Sequence, residues 1–300
     1  MSESAQACLD TLIDDFHTNE RIRVWSLVIT VFGDAVNPRG GEIWLGSLQD
    51  LMQRMRIEPG ALRAAMSRLA SDGWLVRIRE GRNSYYRLAK AGEAEFATAT
   101  RRIYTTRKDD WNGRWTVVLA GHLKTKQKDD LRRDLAAAAF GTIGRDVFLR
   151  PEPENGGGFS VPAGKAFVMS ARLNDDTALQ DLIRTAWNGD GSRNSYEAFR
   201  SSFAPLLKAL DSGAGLDPIS AMAARTLLIH MFRRAVLREP ALPPELTPPD
   251  WAGDDARILT AAIYARLAAG SERWLDGCSR SGGAALPAPA IDIANRFATA

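Results

Sequence analysis

A chain of 300 residues, 45% hydrophobic and 25% charged, has the size and make-up of a soluble globular protein of two or three domains. No stretch nears the ~18 apolar residues of a membrane span, and the polar, acidic start MSESAQACLD lacks the basic-then-apolar order of a secretory signal, which predicts a cytoplasmic protein. Two distant cysteines (Cys8, Cys278) and three scattered histidines (His17, His122, His230) argue against a disulfide framework or a metal site, and the net charge of +3 is small.

The charge is unevenly placed. From Arg54 to Lys90 there are nine basic residues against three acidic ones, whereas Met1 to Gln53 holds eight acids and three arginines. A basic patch confined to one small module is the footprint of phosphate-backbone binding. The plain alternative is a solvated arginine-rich face.

In chain order, Arg21 to Phe32 (RIRVWSLVITVF) is apolar nearly all round and predicts a buried first helix, with a strand left open by its β-branched residues. Asn37-Pro38-Arg39-Gly40-Gly41 reads as a loop and Glu42 to Leu45 as a short strand. Ser47, with Asp50 three residues on, offers an N-cap to a helix burying Leu48, Leu51, Met52 and Met55. Ile57-Glu58-Pro59-Gly60 breaks that helix, and Pro59 suits the first position of the next. The second helix buries Leu62, Ala65 or Met66, and Leu69, which turns Arg63, Ala64, Ser67 and Arg68 outward. Small residues allow close approach to a major groove, and arginine can chelate guanine or grip a phosphate. After Asp72-Gly73, an alternating run from Leu75 turns at Glu80-Gly81-Arg82-Asn83 and returns from Ser84 to Leu88, a hairpin with Arg82 at its tip. Two helices, a sharp turn and an arginine-tipped hairpin are the layout of a winged helix-turn-helix. The candidate DNA contacts are Arg63, Ser67 and Arg68 in the groove, with Arg79, Arg82, Asn83 and Tyr85 on the flanking backbone.

Lys90 to Lys108 reads as an amphipathic linker helix carrying Phe96, Ile103 and Tyr104 on one side, and a second domain opens near Trp111. Strands at Trp115–Gly121, Thr142–Leu149 and Ala166–Leu173, helices at Thr125–Phe140 and Asp175–Trp187, and a Pro/Gly-rich loop at Pro151–Gly158 predict a ferredoxin-like α+β sandwich, with a final strand to come later. From Ser195 the pattern is helical: Tyr196–Leu210, Ile219–Leu237, then Asp254–Trp274 after the stop Glu239-Pro240-Ala241-Leu242-Pro243-Pro244. The Gly-, Ala- and Pro-rich tail after Cys278 reads as loose or packed only on a partner. The expected architecture is α+β in three consecutive domains: a winged helix-turn-helix with linker helix over 1–108, a ferredoxin-like domain over 109–192 and a helical domain over 193–300.

Several motifs in combination resemble the PaaX family, repressors of the phenylacetic-acid degradation operon. They are IWLGSL (Ile43–Leu48), ALRAAMSRL and DGWL (Ala61–Leu75), GRNSYYRL (Gly81–Leu88), RRIY (Arg101–Tyr104) and WNGRWT (Trp111–Thr116). LIHMFRRAVLREPALPPELTPPDWAG (Leu228–Gly253) completes them, and its proline-rich helix exit is the most distinctive. The resemblance runs from Arg21 to Leu275. It implies a homodimer that binds a double-stranded operator, with repression relieved by an aryl-CoA thioester, typically phenylacetyl-CoA. An acyl-CoA asks for cations and an apolar cavity. Arg225, His230, Arg233, Arg234 and Trp251 are candidates to supply them. In the blander reading Arg233 and Arg234 complement a helix dipole and Trp251 packs the helix exit. One departure is Arg56, where the family's helix-to-helix turn carries glycine, because arginine tolerates positive φ poorly.

An enzyme is the competing class. The central domain also resembles the ferredoxin-like endoribonucleases of CRISPR adaptation, whose aspartate at the end of the first strand holds a metal. Here Trp115–Gly121 has no carboxylate and is followed by His122, and Gly156-Gly157-Gly158 lacks the strand-to-helix setting of a nucleotide loop. A non-enzymatic regulator without catalytic residues, cofactor or metal is the reading.

Overall fold

The computed structural model describes residues 4–19, 22–104, 111–153, 166–173, 178–187, 189–213, 215–237, 242–247 and 251–297. They fall into two compact bodies. The first comprises Met1–Thr105, Ala198–Arg234 and Asp254–Ala300; the second comprises Thr106–Glu197 and Ala235–Gly253. The C-terminal helices, expected as a separate domain from residue 193, thus share a body with the N-terminal module.

In the first body the apolar stretch becomes α2 (Val24–Val31), followed without a break by a π-helical turn at Phe32–Val36 and a 3-10 turn at Asn37–Arg39. A helix satisfies its own backbone, so a segment buried on most sides needs no strand partner. Strand β1 (Glu42–Trp44) runs straight into α3 (Leu45–Arg54). Ser47 is therefore not the cap: Trp44, in extended backbone, precedes a helix that starts two residues earlier, and Ser47 is buried. Arg56 does hold positive φ (57°), and the turn is closed by its N–H to the Gln53 carbonyl (2.9 Å). Its guanidinium pairs with Asp14 of α1 (Ala5–Asn19), a helix the sequence reading did not foresee. Helix α4 (Pro59–Ser71) starts on Pro59. Strands β2 (Leu75–Glu80) and β3 (Asn83–Leu88) form the hairpin, with Gly81 at φ 57° in its turn. The sheet is antiparallel in the order β1-β3-β2, and Tyr85 lies level with Trp44 on one side and Ile78 on the other. Helix α5 (Lys90–Tyr104) follows.

Most of α8 (Gly189–Asp211), α9 (Pro218–Val236) and α10 (Ala252–Asp276) complete this body. Buried Phe16 of α1 meets the His230 ring of α9 edge-on at 5.7 Å. As far as Phe297 the tail after α10 is not loose. The Ala290 N–H donates to the Pro38 carbonyl (2.8 Å), and Phe297 packs on Tyr104 (5.0 Å) and Tyr264 (5.2 Å).

The second body is an antiparallel sheet in the order β5-β6-β4-β7, from β4 (Trp111–Leu119), β5 (Gly141–Ile143), β6 (Val147–Pro153) and β7 (Phe167–Ala171). The strand expected over Thr142–Leu149 is in fact a hairpin, β5 and the start of β6, turned at Gly144. Helix α6 (Thr125–Ala137) buries Leu131 and Leu135 with Val118 and Phe148. Helix α7 (Leu179–Trp187) buries Ile183 and Ala186 with Trp115 and Leu149. Because side chains alternate along β4 and β6, these are opposite faces of the sheet. A ferredoxin-like chain runs β-α-β-β-α-β; this one runs β-α-β-β-β-α, with a helix on each face. Only the α+β class of that expectation stands.

Candidate nucleic-acid interface and inner cavity

Helix α4 buries Leu62, Ala65, Met66 and Leu69, and its periodicity leaves Arg63, Ala64, Ser67 and Arg68 exposed. Arg63 makes no ion pair among the described residues. Arg68 leans towards Asp72 (3.5 Å) and over the Trp25 ring (5.9 Å), contacts too exposed and long to commit it. On the hairpin Arg79, Arg82 and Asn83 are exposed as well. Tyr85 is a correction: at 4% exposure it is a core residue of the three-stranded sheet, because β3 is the central strand and Trp44 and Ile78 flank it. Six of the seven candidate contacts thus stand free on one small module.

Beneath it lies a buried polar centre. Asp34, in the π-helical turn, accepts hydrogen bonds from Arg225 Nε (2.7 Å), Tyr104 Oη (2.5 Å), Tyr264 Oη (2.9 Å) and Arg296 (3.0 Å). Burial opposes the carboxylate's charge, but the guanidiniums of Arg225 and Arg296 outweigh it and hold Asp34 below the usual carboxylate range. Burial raises both phenols. Arg225, fully buried, also donates to Ser271 (3.0 Å) and Glu272 (2.6 Å). With the Asp34 carbonyl taking Nη2 (3.2 Å), four of its five N–H donors are engaged inside the protein, and the side chain is part of the core. His230 is likewise structural: it is 4% exposed, Nδ1 lies 3.0 Å from Thr30 Oγ1, and burial pushes its pKa down to about 3, which keeps the ring neutral.

Next to this centre a cavity of about 150 Å³ opens between α2, α5 and α9. Ile29, Trp74, Phe96 and Ile229 give it apolar walls, and Tyr104 and Arg233 give it polar ones. Gly33 belongs here because a Cβ would sit 2.8 Å from the Phe96 ring. Arg233 donates through Nη2 to the Ser26 carbonyl (2.9 Å) and hydroxyl (2.5 Å), while its Nε is buried without a partner among the described residues. Of the five candidate effector residues only Arg233 lines the cavity. Arg234 is half-buried elsewhere on α9, and Trp251 belongs to the second body. The aromatic lining was missed: Phe96 and Tyr104 share a helix face, but that face was read only as a linker's apolar side.

In the second body the His122 ring packs against Phe167 (4.5 Å). Gly156-Gly157-Gly158 lies outside the described residues. Among the described residues no three His, Cys, Asp or Glu side chains gather as metal ligands, and no helix is long and apolar enough to cross a membrane.

Residues 23–92 match the family model "PaaX-like protein" and residues 187–277 match "PaaX-like protein C-terminal domain". The chain is 32% identical to the transcriptional repressor PaaX of Escherichia coli (strain K12), over 96% of this chain and 94% of that one. Its fold resembles that of the uncharacterized protein Rv0674 from Mycobacterium tuberculosis (TM-score 0.54, 23% identity, 82% of this chain and 97% of that chain). A free basic helix face beside an arginine-tipped hairpin, together with near full-length similarity to a repressor, has one consequence: the chain belongs to the PaaX family of transcriptional repressors.

Proposed function

We propose that this protein represses an aromatic-acid catabolic operon, that of phenylacetate, by holding its operator with a winged helix-turn-helix. Helix α4 enters the major groove with Arg63, Ser67 and Arg68, and the wing β2–β3 sets Arg79, Arg82 and Asn83 against phosphates. The observation that carries the reading is the shared exposure of these six residues on a module whose local charge is strongly positive. DNA binding of this kind belongs in the cytoplasm.

The repressor acts as a homodimer, each copy reading one half-site. Phe167, Val168 and Met169 support this: they stand 61%, 45% and 45% exposed on the edge strand β7, an apolar edge suited to pairing with a second copy. An aryl-CoA thioester such as phenylacetyl-CoA releases the operator. A cavity of about 150 Å³ matches one aromatic ring, and the unpartnered Nε of Arg233 offers a donor to the thioester carbonyl. Trp74, which joins α4 to β2, lines the same cavity, so a ring seated there bears on the base of the reading head. Release is a population shift, in which operator and effector weaken each other by the same factor.

The test is to select duplexes from fragmented genomic DNA, then titrate the tightest by fluorescence anisotropy at fixed salt, with and without phenylacetyl-CoA. Arg63→Ala with Arg68→Ala weakens binding and relaxes sequence preference. Unchanged affinity in that variant refutes the helix assignment, and unchanged affinity with saturating thioester refutes the effector.

A further inference from the structure

The segment after α10 reaches the wing. Past Cys278 the chain forms its own narrow hairpin, closed by pairing of Ser279 with Ala285 and turned by Gly282 at φ 76°. The Ser279 carbonyl accepts the Trp44 N–H (2.9 Å). The backbone amides of Ser281 and Gly282 donate to the carboxylates of Glu42 on β1 and Glu80 on β2, both at 2.7 Å. Trp44, Tyr85 and Ile78 lie level across the sheet, so by alternation Glu42, Trp44, Ile78 and Glu80 share one face, the face this hairpin meets. At the far end the segment is anchored: Arg296 donates to Asp34 and Phe297 meets Tyr104 and Tyr264 edge-on.

Two features make this more than packing. Acidic side chains on a surface that meets phosphates oppose binding, and Glu80 stands at the mouth of the turn carrying Arg82 and Asn83. Its carboxylate and that of Glu42 instead accept amides, in charge-assisted bonds stronger than those between neutral groups. Strand β1 pairs only with Tyr85–Arg87 of β3, so the tip of the wing from Arg79 to Ser84 has just two strands and is only marginally ordered without such support.

We infer that Cys278–Phe297 is a strap that positions the wing on the duplex, with Glu42 and Glu80 as positioning residues for operator binding although neither touches DNA. The inference rests on the DNA-binding reading above. The deciding comparison is E42A/E80A against E42Q/E80Q, titrated with the selected duplex at fixed salt. Both variants remove the same two charges, but glutamine keeps an acceptor for each amide. The Gln variant binds at least as tightly as wild type. The Ala variant binds about fivefold more weakly than the Gln variant, the loss of about one net hydrogen bond, and its Ser281 and Gly282 amides exchange faster. Equal affinity in the two variants overturns the strap; no binding by wild type overturns the DNA reading instead. Should the Ala variant not fold, E80A against E80Q decides by the same comparison.

Discussion

Asp34→Asn separates charge from shape, since the amide fills the same volume as the carboxylate. Asp34 is one anion between the guanidiniums of Arg225 and Arg296, which are 0% and 6% exposed. Arg225 keeps Glu272 after the change, but Arg296 is left, among the described residues, with no carboxylate: it keeps the backbone carbonyls of Asp34 and Gly33, the Tyr264 hydroxyl and the ring of Tyr104. Removing one side of a buried ion pair costs roughly 3–5 kcal/mol. The asparagine oxygen still accepts one bond while its NH₂ faces donors, which places the loss at about 3–4 kcal/mol. In a body of this size that lowers the melting temperature by roughly 6 to 16 °C. Urea unfolding followed by near-UV circular dichroism measures it, with Glu272→Gln as the comparison, because that carboxylate is 17% exposed and loses less. A loss below about 1 kcal/mol in Asp34→Asn, or an equal loss in Glu272→Gln, would refute the account of the centre. The sign with pH follows: Asp34's folded pKa is lowered, so its contribution is full above the unfolded carboxylate value and disappears as pH falls through the lower folded one. Asp34→Asn therefore flattens the acid limb below about pH 4.

His230, neutral with a pKa of about 3, gains a proton on unfolding at any pH below about 6.5. Stability then falls with acid by up to about 1.4 kcal/mol per pH unit, and His230→Gln removes that slope between pH 6.5 and 3; an unchanged slope refutes the assignment. Arg56→Gly relieves a left-handed residue whose pairing with Asp14 is 51% and 63% exposed, so it stabilises by roughly 0.5–1 kcal/mol, and destabilisation in a melting curve contradicts this. Val168→Glu places a charge on the edge strand β7 and gives a monomer by light scattering with little change in melting temperature; a persistent dimer excludes that edge. Ala99→Leu narrows the cavity that Ala99 lines. Phenylacetyl-CoA then releases the selected duplex only at much higher concentration while affinity without the thioester is retained, and an unchanged dose response rules the cavity out.

The basic helix face and the hairpin were legible because their signals are local. Apolar spacing along Leu62, Ala65, Met66 and Leu69 dictates which side of α4 is buried, and so which arginines are free. Pro59, Gly73 and Gly81 mark the breaks through backbone geometry that holds in any context. Tyr85 failed because alternation along β3 tells two faces apart but not that both are covered, one by the helices and the other where the C-terminal hairpin meets it. The ferredoxin-like expectation failed similarly: element types were readable, but the faces α6 and α7 take depend on the sheet's pairing.

What the sequence determined by itself was thus the exposed basic face of α4, the arginine-tipped hairpin and the family, each carried by motifs that are local in the chain. Tertiary structure alone decided that Arg225 neutralises a carboxylate 191 residues away, that Arg296 reaches the same carboxylate from 262 residues away, and that the C-terminal segment meets the wing. A buried ion pair and a solvated arginine are written with the same letters. Only the fold, by removing water from Asp34 and bringing distant cations to it, makes one a structural centre and leaves the other solvated.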